Sequence, residues 1–250
     1  MKTCIRSLCL LAVILACSGS PQGRITGGHT AILGQVPYQA YLAVAGSPNC
    51  GAVILSELYA LTAMRCVCSA GSQNPWPASA FSVNAGTIDL YRGEVSIFVE
   101  EITLSPHRSE FNTGLALLKL RQPFVFSDYI QPIPLAKNSP VVGEQIEVSG
   151  WGRQLDTDSN MQRALQINEG TVINEAECSR SIDKSDSQVF CLDHPRSNGI
   201  CRGDFGGPAV YQGELVGIAA YVLGECGSYL PDVYTSIASN YDWIVETMSA

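Results

Sequence analysis

Side chains able to exchange a proton near neutral pH are scarce in this chain. Among 250 residues there are three histidines, His29, His107 and His194. Covalent hydrolysis needs a nucleophile, a base to take its proton and a carboxylate to orient that base. No G-x-S-x-G elbow presents a serine, and no H-E-x-x-H pair offers a catalytic metal site. The densest group of candidates is Cys201-Arg202-Gly203-Asp204-Phe205-Gly206-Gly207-Pro208. Backbone N–H groups at Gly203 and Phe205 could form a nest for an anion, a weak site by itself. Asp204 is costly to bury unless something compensates its charge.

Such residues need a scaffold, and composition bounds it. Hydrophobic residues make up 46% and charged residues 15%, too apolar for a disordered chain. Lys2 and Arg6 precede an apolar run from Leu8 to Cys17, and the small residues Ala16 to Gly19 follow. This is a secretory signal pattern, with residues 1–18 as signal peptide and 19–24 as a short propeptide. A lipoprotein signal ending at Cys17 is the rival reading. The run is too short to span a bilayer, which takes ~20 residues, so no membrane span is expected.

The net charge of -8 becomes -11 once Lys2, Arg6 and Arg24 are removed, with 12 basic residues against 23 acidic ones. That balance opposes a nucleic-acid partner. Seven of the ten cysteines remain: Cys50, Cys66, Cys68, Cys178, Cys191, Cys201 and Cys226. An exported chain meets oxidising conditions where disulfides persist. The odd count puts one cysteine outside any intrachain set.

Short apolar runs recur at Tyr38 to Val44, Ala52 to Leu55, Phe81 to Ala85, Val95 to Val99, Leu115 to Leu120, Gln145 to Val148, Gly170 to Ile173 and Leu215 to Tyr221. Turn-forming clusters separate them, which predicts an all-β barrel or sandwich. Only the C-terminus shows helical spacing, through Ile237, Tyr241, Ile244, Val245 and Met248, with Ser239 or Asn240 as cap. Residues 131–143, carrying Pro132, Pro134 and Pro140, are the candidate linker between two halves.

Six motifs in register carry a resemblance. They are Arg24-Ile25-Thr26-Gly27-Gly28; Cys50-Gly51-Ala52 with Leu61-Thr62-Ala63-Met64-Arg65-Cys66; Leu115 to Leu120; Val148-Ser149-Gly150-Trp151-Gly152; Cys201 to Pro208; and Pro231-Asp232-Val233-Tyr234-Thr235. Together they resemble the chymotrypsin and trypsin family of serine proteases, from residue 25 to the end. The resemblance implies two six-stranded antiparallel β-barrels with a cleft between them and a C-terminal helix. It also implies the disulfides Cys50–Cys66, Cys178–Cys191 and Cys201–Cys226. Cys68 is then the odd one, either a buried inert thiol or a route to an interchain disulfide.

The same resemblance places Arg65 where the family has its catalytic histidine, Gly114 where it has the aspartate, and Phe205 where it has the serine. A guanidinium stays protonated and cannot serve as a base. Glycine and phenylalanine offer neither carboxylate nor nucleophile. Arg24 resembles an activation cleavage site, with Ile25 as the new N-terminus whose ammonium would pair with Asp204. In the specificity pocket, Gly199 stands at the floor position, Asp232 replaces a wall glycine and Val222 replaces the glycine of an open entrance, beside Tyr221. These changes predict a blocked or shallow pocket. The alternative is that Asp232 grips a basic side chain of a partner; Arg202 at the rim either pairs with Asp232 or is simply solvated, the commoner fate of a surface arginine. No calcium loop is evident in residues 87–101, and neither metal nor cofactor is expected.

The leading expectation is therefore a secreted, catalytically inactive serine protease homologue. It would act by contact with extracellular proteins, among them active proteases or their zymogens, in an immune-type proteolytic cascade. A binding module for microbial surfaces or glycans is the second reading. A hydrolase using relocated residues is the third.

Overall fold

The computed structural model describes residues 28–69, 72–106, 113–182 and 186–249. The leader, Arg24, Ile25 and His107 lie outside the described residues. Six strands close a first antiparallel barrel: β2 (Gln39–Val44), β3 (Ser47–Ile54), β4 (Tyr59–Ala63), β5 (Phe81–Ala85), β6 (Val95–Leu104) and β7 (Leu115–Leu120). Six more form the second: β8 (Gln145–Gly150), β9 (Gln166–Val172), β10 (Val189–Asp193), β11 (Pro208–Tyr211), β12 (Glu214–Val222) and β13 (Asp232–Ser236). Their order is β9-β10-β13-β12-β11-β8, closed by β8 on β9. A two-residue strand β1 (His29–Thr30) adds to the edge of β9. This is the expected pair of six-stranded barrels.

The apolar alternation builds each core. Leu42, Ile54, Leu61, Phe81, Leu115 and Leu117 fill the first barrel. Ile146, Val148, Leu192, Ala209, Val216 and Tyr234 fill the second. Each large side chain removed from water contributes ~1.5–3 kcal/mol. Strand β6 runs five residues past the expected Val99, because a bulge between Val99 and Glu101 shifts its register and breaks the alternation.

A helix that the periodicity does not reveal, α1 (Glu175–Ser181), follows β9. It is short, Cys178 is its sole buried residue, and Asn174 caps it by accepting the Glu177 N–H at 2.9 Å. The C-terminal helix α2 (Tyr241–Ser249) packs Ile244 and Met248 on the first barrel. Neither expected cap acts as one. The chain enters α2 through a 3-10 turn, Ala238–Asn240, and Asn240 instead donates to the Ser236 carbonyl at 2.9 Å.

The segment 131–143 crosses between the barrels as a strap. The Ile133 N–H donates to Ile54 of β3 at 3.1 Å and the Ala136 N–H donates to Leu215 of β12 at 3.0 Å. All three disulfides implied by the resemblance are formed. Cys68 lies outside them with a buried thiol, an arrangement that lends no support to an interchain bridge.

Candidate functional site

The β4 strand ends in a 3-10 turn, Met64–Cys66, which is tied back to β3 by the Cys50–Cys66 disulfide. That turn carries Arg65 into the space between the barrels. Its Nη1 donates to the carbonyl of Ala220 in β12 at 2.9 Å. Its guanidinium carbon sits 4.0 Å from the centroid of the Phe205 ring, a cation–π contact. Phe205 is fixed from below, because its carbonyl accepts the Gly51 N–H at 2.8 Å. Burial, and then the charge of Arg202, draw the Arg65 pKa below the ordinary arginine value.

Gly114 completes this junction just before β7. Its carbonyl accepts the Met64 N–H at 2.8 Å. A Cβ placed there would lie 3.1 Å from Met64 Sδ and 3.3 Å from Ser105 Oγ. The three positions singled out by the sequence thus converge, and they meet as an arginine on an aromatic ring beside a glycine packed against Met64.

Asp204, next to Phe205, is fully buried. It accepts the backbone N–H groups of Gly152 at 2.6 Å and Cys201 at 2.9 Å. Gly150 and Gly152 both press on this carboxylate, and a Cβ at either would overlap it. Burial pushes the Asp204 pKa up to about 7, against the opposing effect of the two N–H donors.

The floor position Gly199 adjoins one of two residues that sequence reasoning missed. His194, between β10 and Gly199, turns its ring onto Asp232, with Nε2 3.4 Å from Oδ2 and both side chains at most 3% exposed. Asp232 Oδ2 also accepts the Ile200 N–H at 2.7 Å. Gly199 has φ +97, and a Cβ there would strike both Asp232 and His194. Asp232 therefore faces the chain's own imidazole rather than an open pocket. Nor does it meet Arg202, which pairs with Asp156 at 3.3 Å. That expectation fails because Asp232 is sealed while Arg202 stays at the surface.

His194 meets a carbonyl with one ring nitrogen and the Asp232 carboxylate with the other. Its Nδ1 faces the carbonyl of Pro195 at 3.1 Å, so Nδ1 carries hydrogen. A neutral ring would then aim its Nε2 lone pair at a carboxylate oxygen. A protonated ring removes that repulsion and pairs with the carboxylate across 3.4 Å. Burial alone draws His194 down, but the Asp232 hydrogen bond and charge hold its pKa above the ordinary value. Burial raises Asp232, opposed by His194 and Ile200.

Tyr221 and Val222 end β12, and Val222 pairs in register with Asp232. Val222, Arg65, Phe205, Arg202, Asp156 and Gly224 line a cleft of ≈ 360 Å³.

The two-barrel fold agrees with comparisons to known proteins. The Trypsin family profile matches residues 25–244. The chain belongs to the trypsin family. It is 35% identical to "Serine protease SP24D" of Anopheles gambiae, over 90% of this chain and 81% of that protein. It is 30% identical to "Putative trypsin-6" of Homo sapiens, over 97% of this chain and 98% of that protein. Among solved structures, mouse neuropsin superposes with a TM-score of 0.78 at 28% identity, covering 89% of this chain and 99% of that one. Human heparin binding protein gives a TM-score of 0.77 at 27% identity, covering 90% and 97%. Within this trypsin-like frame, Asp156 and His194 are the functional candidates absent from the sequence reading. Each lies in a polar loop with no periodic or motif signal, and each is recognisable only by the partner folding brings to it.

Proposed function

We propose that this chain is a secreted, non-catalytic member of the trypsin family that works by binding proteins in an extracellular, immune-type proteolytic cascade. The observation that carries this reading is the contact of Arg65 with Phe205 and Ala220. An arginine stands where the family needs a base, and its guanidinium holds every proton it has. Phe205 supplies no nucleophile at the facing position. The third reading, relocated catalysis, finds little to draw on: among the described residues the histidines are His29 at an edge strand and His194 locked on Asp232. No helix among the described residues is long and apolar enough to cross a membrane.

Cleavage after Arg24 remains a means of switching in this proposal. A new ammonium at Ile25 would find in Asp204 a buried acid without a cationic partner among the described residues. Amide exchange across residues 195–232 should slow after the cut, and identical protection before and after would remove the switch.

The test of the binding reading is capture from the native extracellular fluid with intact and cut protein. Active proteases or their zymogens should be retained. Retention of cell-wall material alone would favour the microbial-surface reading instead.

A further inference from the structure

We propose that the cleft between Arg65 and Arg202, with its neighbour beside Arg153, is a docking site for an acidic peptide segment of a partner protein. The inference deepens the binding function proposed above and rests on it.

The charge inventory is the first argument. Asp156 is the only acidic residue lining the cleft that holds Arg65, and it is already engaged. Its Oδ2 accepts the Cys226 N–H at 2.8 Å and its Oδ1 meets Arg202 at 3.3 Å. Arg65 forms no ion pair among the described residues. An adjoining cleft of ≈ 400 Å³ shares Arg202, adds Arg153, and contains no acidic lining residue. The Arg153 N–H donates to the Arg202 carbonyl at 2.9 Å, so the two arginines are held side by side. Three of the 12 basic residues after Arg24 therefore follow one another along the cleft of a chain with 23 acids. Scattered surface charge would not produce such a track.

The second argument is preorganisation. Arg65 is fixed on two sides, by the Phe205 ring and by the Ala220 carbonyl. A held planar fork loses little freedom when a carboxylate binds two of its remaining donors. Phe205 and Val222 supply an apolar wall for the methylenes of a glutamate. Carboxylates spaced along a peptide suit these arginines better than a dense polyanion, because the surrounding molecule is strongly acidic and repels dense negative charge.

The test uses fluorescein-labelled Ala-Glu-Ala-Glu-Ala-Glu-amide and its all-Gln counterpart, followed by anisotropy with the full secreted protein. The Glu peptide should bind about tenfold tighter, and Arg65→Gln or Arg202→Gln should each remove most of that preference. Arg121→Gln, at an exposed arginine near Phe98 of the first barrel, should leave it unchanged. Equal binding of both peptides, or an equal loss in Arg121→Gln, would overturn the proposal. Arg202 is 65% exposed, so its variant reports on binding even where Arg65→Gln disturbs the turn. Hydrolysis of peptides by the protein would contradict the non-catalytic reading separately, without touching this preference.

Discussion

The Arg65–Phe205 junction and the His194–Asp232 floor are built on opposite terms. At the junction a charged group is held at the surface by an aromatic face and a single carbonyl. At the floor an acid and a base are both sealed away and face each other across 3.4 Å, with Asp232 Oδ1 left without a partner. Surface pairs contribute little to stability because water competes for them. Buried pairs are expensive to break because the survivor is stranded. The junction can therefore be altered for binding at little structural cost, whereas the floor has become part of the core.

That contrast is sharpest under substitution. His194→Leu should destabilise by ~3–5 kcal/mol, since it leaves the Asp232 carboxylate buried alone. The His194→Leu/Asp232→Leu double variant should recover much of the loss in a urea titration. A loss in the double variant equal to the single one would show that the pair is not coupled.

Next in size is the pH response. His194, held above its ordinary pKa, contributes stability at low pH that is lost as pH rises through its folded value. Asp204, raised from 3.8 to about 7, and Asp232, also raised, bind protons more tightly when folded than when unfolded. Both effects favour the folded chain as pH falls from about 7 towards 4. The urea midpoint of uncut protein should thus be higher near pH ~5 than near pH ~8, and Asp204→Asn should flatten the slope. A midpoint that rises with pH would contradict these environments.

At the junction the expected effects are smaller. Phe205→Ala should cost about 1 kcal/mol from the lost cation–π contact, plus the ring's modest burial. Arg65→Gln should cost less than ~1 kcal/mol while weakening acidic-peptide binding. Restoring Arg65→His, Gly114→Asp and Phe205→Ser together should yield at best weak hydrolysis. The new aspartate would press on Met64 and Ser105, and the floor would remain occupied by His194.

The two regions also differed in how legible they were. Arg65 and Phe205 sit inside motifs marked by cysteines and glycines, and Gly114 immediately precedes the Leu115–Leu120 run, so the family resemblance implied that the three converge. The disulfide pairing came only with the family resemblance, because six cysteines alone leave 15 pairings open. His194 was not legible, because nothing near it in sequence announces Asp232, and its role exists only once β13 lies beside β10. For Arg202 the sequence left pairing with Asp232 or solvation open, and the side chain meets Asp156 in a loop without periodicity. The bulge in β6 and the polar helix α1 escaped for a related reason: each departs from the hydrophobic repeat by which an element is recognised.

The central proposal is that the Arg65–Phe205 junction does not catalyse hydrolysis. Its most direct test is a panel of fluorogenic peptides, with varied residues before the scissile bond, incubated with protein cut after Arg24. The prediction is hydrolysis indistinguishable from the uncatalysed rate for every peptide. Turnover that co-purifies with the protein and scales with its concentration would contradict the account.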